Sequence, residues 1–205
     1  MNGGKCIHLS DHEIYWYVLF VQTGSEERLI KRLKESLNCE DFIPFVPKKT
    51  CVFRRQGKKS LFQKTCFPGY VFIESSKQVL EFTKHVYPIT KKLEEAYRFL
   101  SYGDYCDIAM HEEERIALSK IFGNDYCIDI SFGFQEGDSI RIETGSLTGY
   151  ESKIIKINKG RREAIIALRM FGNIIPVSVG FEIIEKMTAR HFCSKSLPRG
   201  FAKEY

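Results

Sequence analysis

Cys6, His8, Asp11 and His12 carry the donor atoms that metal ions take, and Glu112, Glu113 and Glu114 supply three adjacent carboxylates. The first group lies in a leading segment without apolar periodicity, which reads as a flexible leader, so no metal site is expected there. The glutamates open a predicted helix. Three adjacent helical residues point in different directions, so they form no acid–base pair and are better placed to favour the positive helix start. Seven cysteines (Cys6, Cys39, Cys51, Cys66, Cys106, Cys127 and Cys193) are odd in number and scattered, with no Cys-x-x-Cys pair. They indicate a reducing compartment, and the cytoplasm is expected, without a disulfide framework or zinc centre. No Ser-His-Asp, Cys-His, Walker or dinucleotide motif is present. The reading is of a protein that is not an enzyme and needs no cofactor.

Unbalanced charge is a stronger signal. Between residues 44 and 73 lie seven cations (Lys48, Lys49, Arg54, Arg55, Lys58, Lys59 and Lys64) and no acid, which exceeds the formal net +5 of all 205 residues. The stretch ends in Phe67-Pro68-Gly69-Tyr70-Val71-Phe72-Ile73, where a Pro-Gly bend leads into a short apolar strand. Aromatics rimmed by unbalanced cations suit a partner that is both apolar and polyanionic. A second basic run, Lys153, Lys156, Lys159, Arg161 and Arg162, holds five cations in ten residues without an acid. The tail from 188 onward is basic as well, from Arg190 to Lys203. Such local patches suit contact with phosphates over part of the surface.

The elements that position these residues follow from periodicity. Tyr15 to Val21 is an apolar run long enough for a buried strand. Thr23 and Glu26 have capping-box spacing, and Leu29, Ile30, Leu33 and Leu37 give the helix behind them one apolar face. Phe42 to Val46 reads as an edge strand because of Pro44 and Pro47. Thr50 to Arg54 and Lys58 to Gln63 flank a Gln56-Gly57 hairpin tip. After the strand following Pro68, Ser75 or Ser76 caps a second helix through Phe82, with Val79, Leu80 and Thr83 inward. Met110 to Phe122 is the third helix, stopped at Gly123. This order builds an antiparallel sheet with helices packed on it, an α+β sandwich. From Gly137 the rhythm changes to five short Ile- and Val-rich runs between glycines: Ser139–Glu143, Lys153–Asn158, Ala164–Arg169, Ile174–Val179 and Phe181–Glu185. They predict a small five-stranded barrel. No run is long and apolar enough for a membrane helix.

Trp16-Tyr17-Val18, the helix behind it, Phe67-Pro68-Gly69-Tyr70-Val71-Phe72, Phe134-Gln135-Glu136-Gly137-Asp138, Met170-Phe171-Gly172 and Pro176-Val177 occur in the order found in the NusG family of transcription elongation factors, which the chain resembles over about 15–187. Ser152 stands where the family's turn usually ends in glycine, and Lys84-His85-Val86-Tyr87-Pro88 replaces its Asn-Thr-Pro-Gly stretch. These departures resemble the specialised LoaP-type antiterminators. The resemblance implies an NGN-type polymerase-binding domain at 14–123, a linker at 124–134, a five-stranded KOW β-barrel at 135–187 and a basic tail at 188–205. It also implies a monomer that acts in processive antitermination.

By motif position, the resemblance puts Phe20, Phe67, Pro68, Tyr70 and Phe72 at the RNA polymerase clamp helices, with core packing as the competing role for about half of them. Glu81, Phe82 and Thr83 correspond to the helix end that meets the polymerase gate loop. Arg28, Arg32, Lys84 and His85 would face non-template DNA. The KOW domain is expected to take a nascent RNA hairpin through Lys153, Lys156, Lys159, Arg161 and Arg162, or a ribosomal protein or Rho. It is expected to stay a β-barrel, since Pro176 and the β-branched strands oppose a helical form. The other reading is a KOW-containing ribosome- or RNA-binding structural protein whose N-terminal half is only a scaffold.

Overall fold

The structure, a computed structural model, describes residues 14–55, 58–103, 107–136 and 139–184. The leader donors, the Gln56-Gly57 tip and the basic tail lie outside the described residues.

Strand β1 (Tyr15–Val21) is central in the first sheet. Its alternation decides the layers: Tyr17, Leu19 and Val21 join one apolar cluster, Trp16 and Val18 the other. On the first face pack α1 (Glu26–Ser36) and α2 (Val79–Thr90), through Leu29, Leu33, Phe82 and Val86. On the second packs α3 (Glu112–Phe122), through Leu118, Ile121 and Phe122. The sheet orders β2 (Phe42–Phe45), β5 (Tyr70–Ser75), β1 and β6 (Ala96–Phe99), all antiparallel. The expected α+β sandwich is the observed one.

Three helix expectations need correction. Thr23 is not the cap of α1: Ser25 holds that position without a side-chain capping bond. The buried Glu26 carboxylate instead accepts the Gly24 N–H and, 43 residues away, the Gly69 N–H, each at 2.7 Å. Helix α2 begins after Gln78 and continues through Pro88 to Thr90, well past Phe82. Phe82, Val86 and Thr90 repeat every four residues and are buried, so packing carries the helix through the proline. Leu80, expected inward, is exposed.

Strands β3 (Lys48–Arg55) and β4 (Lys58–Thr65) form the basic hairpin, and β7 (Cys127–Ile128) adds to β3 in parallel at Lys48 and Lys49.

The C-terminal sheet is a curled five-stranded half-barrel ordered β10-β11-β12-β8-β9. Its strands are β8 (Ser131–Glu136), β9 (Ser139–Thr144), β10 (Ile154–Asn158), β11 (Glu163–Met170) and β12 (Asn173–Ile183). The two runs expected on either side of Gly180 are one strand, antiparallel to β11 and then parallel to β8. Gly180 marks a close approach rather than a turn, because a Cβ there would lie 2.6 Å from the Thr50 carbonyl oxygen. The fifth strand is β8, which begins inside the stretch read as linker. Ser152 sits in the 3-10 turn Glu151–Lys153, a conformation that serine adopts without strain.

The two halves share an apolar cluster that runs from Trp16, Phe67 and Phe122 to Leu168, Met170 and Phe171. Polar contacts fasten the seam. Glu114, at the start of α3, accepts the Tyr102 hydroxyl at 2.7 Å and the Gly172 N–H at 3.0 Å. Lys49 Nζ donates to the Ser178 carbonyl at 2.6 Å.

Candidate functional site

The Phe67–Tyr70 bend is built by three groups. Gly69 has φ 86°, in the left-handed region, and a Cβ there would meet Thr23 Oγ1 at 3.1 Å. Its carbonyl accepts the Val21 N–H at 2.8 Å, and its own N–H is taken by Glu26. The bend is thus tied to the end of β1 and the start of α1. Tyr70 emerges from it directly opposite Phe20 in the β1–β5 register, with ring centroids 5.5 Å apart.

Tyr97 completes the cluster. In β6 the register jumps from Phe20↔Arg98 to Val21↔Ala96, so Tyr97 is the extra residue of a β-bulge. Its ring lies 5.3 Å from Phe20 and it is 55% exposed. Phe20, Tyr70 and Tyr97, beside the exposed Pro68, form an aromatic surface on the α3 side of the sheet. Sequence reasoning missed Tyr97, since nothing in Ala96-Tyr97-Arg98-Phe99 announces a bulge.

Phe67 and Phe72 are not on that surface. They are 3% and 0% exposed and pack with Phe122 at 6.1 and 6.4 Å. Beneath them Trp16 stacks on Phe122 at 6.0 Å, and its indole N–H donates to the buried Glu74 at 2.9 Å. These residues are the floor that holds the cluster up. Phe82 is core as well, stacked on Tyr17 at 3.5 Å on the opposite face of the sheet. A partner that leaves the fold intact does not touch it.

Glu81 and Thr83 are on the outer part of α2. Thr83 Oγ1 bonds back to the Val79 and Leu80 carbonyls. Lys84 donates to Glu81 at 2.8 Å and holds its carboxyl below the usual carboxylate range. Lys84 and His85 therefore stand within a helix rather than on a loop after it. Arg28 and Arg32 of α1 both reach Glu95, at 2.7 and 3.2 Å. Three of the four cations assigned to DNA thus have a carboxylate partner; Arg28, Arg32 and the Lys84–Glu81 pair are exposed, while Glu95 is largely buried. Both helices lie on the same face of the sheet, which brings the four cations to one side.

In the half-barrel, Lys153, Lys156, Lys159 and Arg161 are exposed. Asn158 Oδ1 accepts the Arg161 N–H at 3.0 Å and shapes the turn between β10 and β11. Arg162 differs from the other four: at φ 55° it turns back and pairs with Glu182 at 2.6 Å, partly buried. Its charge is already answered.

Among the described residues no group of three or more His, Cys, Asp or Glu side chains is arranged to hold a metal ion. Burial pushes the Cys66 thiol up to about 12, which makes it a poor nucleophile. No described helix is long and apolar enough to cross a membrane.

A family model described as "Transcription termination factor nusG" matches residues 14–117, half of the chain and the whole of the sheet that carries the aromatic surface. The chain belongs to the NusG family. NusG proteins are transcription factors, not enzymes. Among curated relatives, the transcription termination/antitermination protein NusG of Thermus thermophilus is 26% identical over 181 residues, covering 84% of this chain and 98% of that one. NusG of Staphylococcus aureus is 25% identical over 180 residues, covering 84% and 95%, and that of Staphylococcus carnosus 24% over the same shares. The solved structure described as "Domain interaction in Thermotoga maritima NusG" is similar with a TM-score of 0.48 and 19% identity, over 82% of this chain and 94% of that one. The 84% of this chain aligned with the curated NusG relatives is more than the share that the family model matches.

Proposed function

We propose that this NusG-type factor is a specialised, cytoplasmic and monomeric elongation factor of processive antitermination. The N-terminal unit, 14–123, docks RNA polymerase, and the KOW unit, 135–187, takes structured RNA from the transcript. The observation that carries the reading is the Phe20–Tyr70–Tyr97 cluster, half-buried at Phe20 and Tyr70 and exposed at Tyr97, braced by the Glu26–Gly69 bond and floored by Phe67 and Phe72. A rigid aromatic surface suits the apolar side of a helical hairpin such as the polymerase clamp helices, with Glu81 and Thr83 turned to the gate loop. Holding the clamp in one state suppresses pausing and termination by selective binding, without chemistry. Arg28, Arg32, Lys84 and His85 line a side that can follow non-template DNA. Lys153, Lys156, Lys159 and Arg161 serve the RNA hairpin, and Arg162 keeps the turn in shape.

The test is binding of the full chain to polymerase clamp helices. Tyr70→Ala should weaken it by about 2 kcal/mol or more, as the loss of an aromatic anchor does, with the far-ultraviolet dichroism unchanged. Phe67→Ala should instead lower the unfolding midpoint. Equal affinity of a folded Tyr70→Ala variant would overturn the docking surface.

A further inference from the structure

Hairpin β3–β4 is absorbed by neither role, although it holds seven cations and no acid. Its register sets Phe53 against Ser60 and Cys51 against Phe62, so Phe53 and Phe62 share one face. Both are exposed, at 51% and 37%, with their ring centroids 6.4 Å apart and nearly perpendicular. Lys64, on the same face, stands with Nζ 5.1 Å from the Phe62 ring. Beyond them the register pairs Arg54 with Lys59 and Arg55 with Lys58, and no acid interrupts the hairpin. Exposed phenyl rings among cations, far from any carboxylate in sequence, suit unpaired bases and the phosphates that join them.

The same face leads to the KOW unit. Lys49 reaches the Ser178 carbonyl of β12, and the Gly180 backbone lies against Thr50. Burial raises the thiol of Cys51, between Lys49 and Phe53, while Lys49 and Lys64 pull it down and Glu163 of the half-barrel raises it. Glu163 directly follows Arg161 and Arg162 and pairs with Gly180. The aromatic face and the basic β10–β11 turn therefore meet at one edge of the molecule.

We propose that the Phe53–Phe62 face of the hairpin binds the single-stranded RNA that flanks a stem held at the KOW turn, stacking unpaired bases on the two rings. The proposal rests on the KOW turn being the RNA site, and one set of probes separates the two. Fluorescence anisotropy with the full chain compares a blunt G·C stem-loop with the same stem-loop bearing a flank of about six uridines on either end. One flank should tighten binding about tenfold or more, and Phe53→Ala/Phe62→Ala should erase that gain while leaving the blunt stem-loop's affinity as it was. Lys159→Gln/Arg161→Gln should weaken both probes and flatten the salt dependence, which tests the KOW turn alone. Because Phe53 and Phe62 are exposed, the double variant should remain folded, as unchanged circular dichroism and unfolding midpoint will verify. A flank that adds nothing, or a gain that survives the double substitution, would overturn the proposal. So would a larger gain from a deoxyribonucleotide flank of matching sequence, which would assign the face to DNA.

Discussion

Glu74 is the residue least comfortable where it stands. Its Oε2 accepts the Trp16 indole N–H, but its Oε1 is the one buried side-chain oxygen without a hydrogen-bond partner among the described residues. An unpartnered buried polar atom weakens a fold, whereas the bond to Trp16 holds the aromatic floor in register. The two effects separate by substitution. Glu74→Gln keeps an acceptor for the indole and removes any need to bury charge but sets an amide NH2 where Oε1 has no partner, so it should cost less than the Ala variant. Glu74→Ala leaves the indole N–H buried and unanswered and should cost about 1–3 kcal/mol. Urea unfolding midpoints would measure both, and a Gln variant as weak as the Ala variant would contradict this assignment.

At the scale of elements, the central device is the coupling of a turn to a helix start. The Glu26 carboxylate serves Gly24 in its own turn and Gly69 in the bend that presents Tyr70. Loss of it releases the bend without touching the aromatic surface. Glu26→Ala should therefore lower stability by about 1–3 kcal/mol and also weaken polymerase binding, with Phe20, Tyr70 and Tyr97 all present. A variant that loses stability but binds clamp helices as before would show that the bend keeps its shape unaided. Local patterns exposed much of this layer. The apolar run of β1, the stripe of α1 and the Pro-Gly bend were legible because each is set by neighbours within a few residues. What was hidden depends on partners far along the chain. The capping-box spacing of Thr23 and Glu26 misled because Ser25 is the cap and the carboxylate is shared between Gly24 and an amide 43 residues on. Alternation said that some of Phe67, Tyr70 and Phe72 face inward, but only α3 decides that Phe67 joins Phe72 inside. The second helix is expected only through Phe82, and tertiary burial of Val86 and Thr90 carries it on to Thr90.

The described halves of the molecule meet at a seam. The Phe171-Gly172 tip of the half-barrel sits against the N-terminal half, with the Phe171 ring 4.8 Å from Tyr102 and its backbone at φ 49°. A non-glycine residue in that conformation costs energy, which the contact must offset. Glu114 joins both sides, holding the Gly172 N–H with one oxygen and the Tyr102 hydroxyl with the other, while Tyr102 stacks on His111 at 3.6 Å. Removing the carboxylate severs both bonds at once but leaves each half its own sheet, with the shared apolar cluster still between them. Glu114→Ala should thus open the seam rather than unfold the chain. A loss of about 2 kcal/mol across the contact would raise the separated population roughly thirtyfold. Hydrogen exchange at residues 169–174 and 100–103 should quicken by that order, while β1 and β5 exchange as before. Since the hairpin and the β10–β11 turn adjoin only while the halves are together, the variant should also bind the flanked stem-loop no better than the blunt one. Unchanged exchange at Gly172 would show that the apolar cluster holds the seam without Glu114.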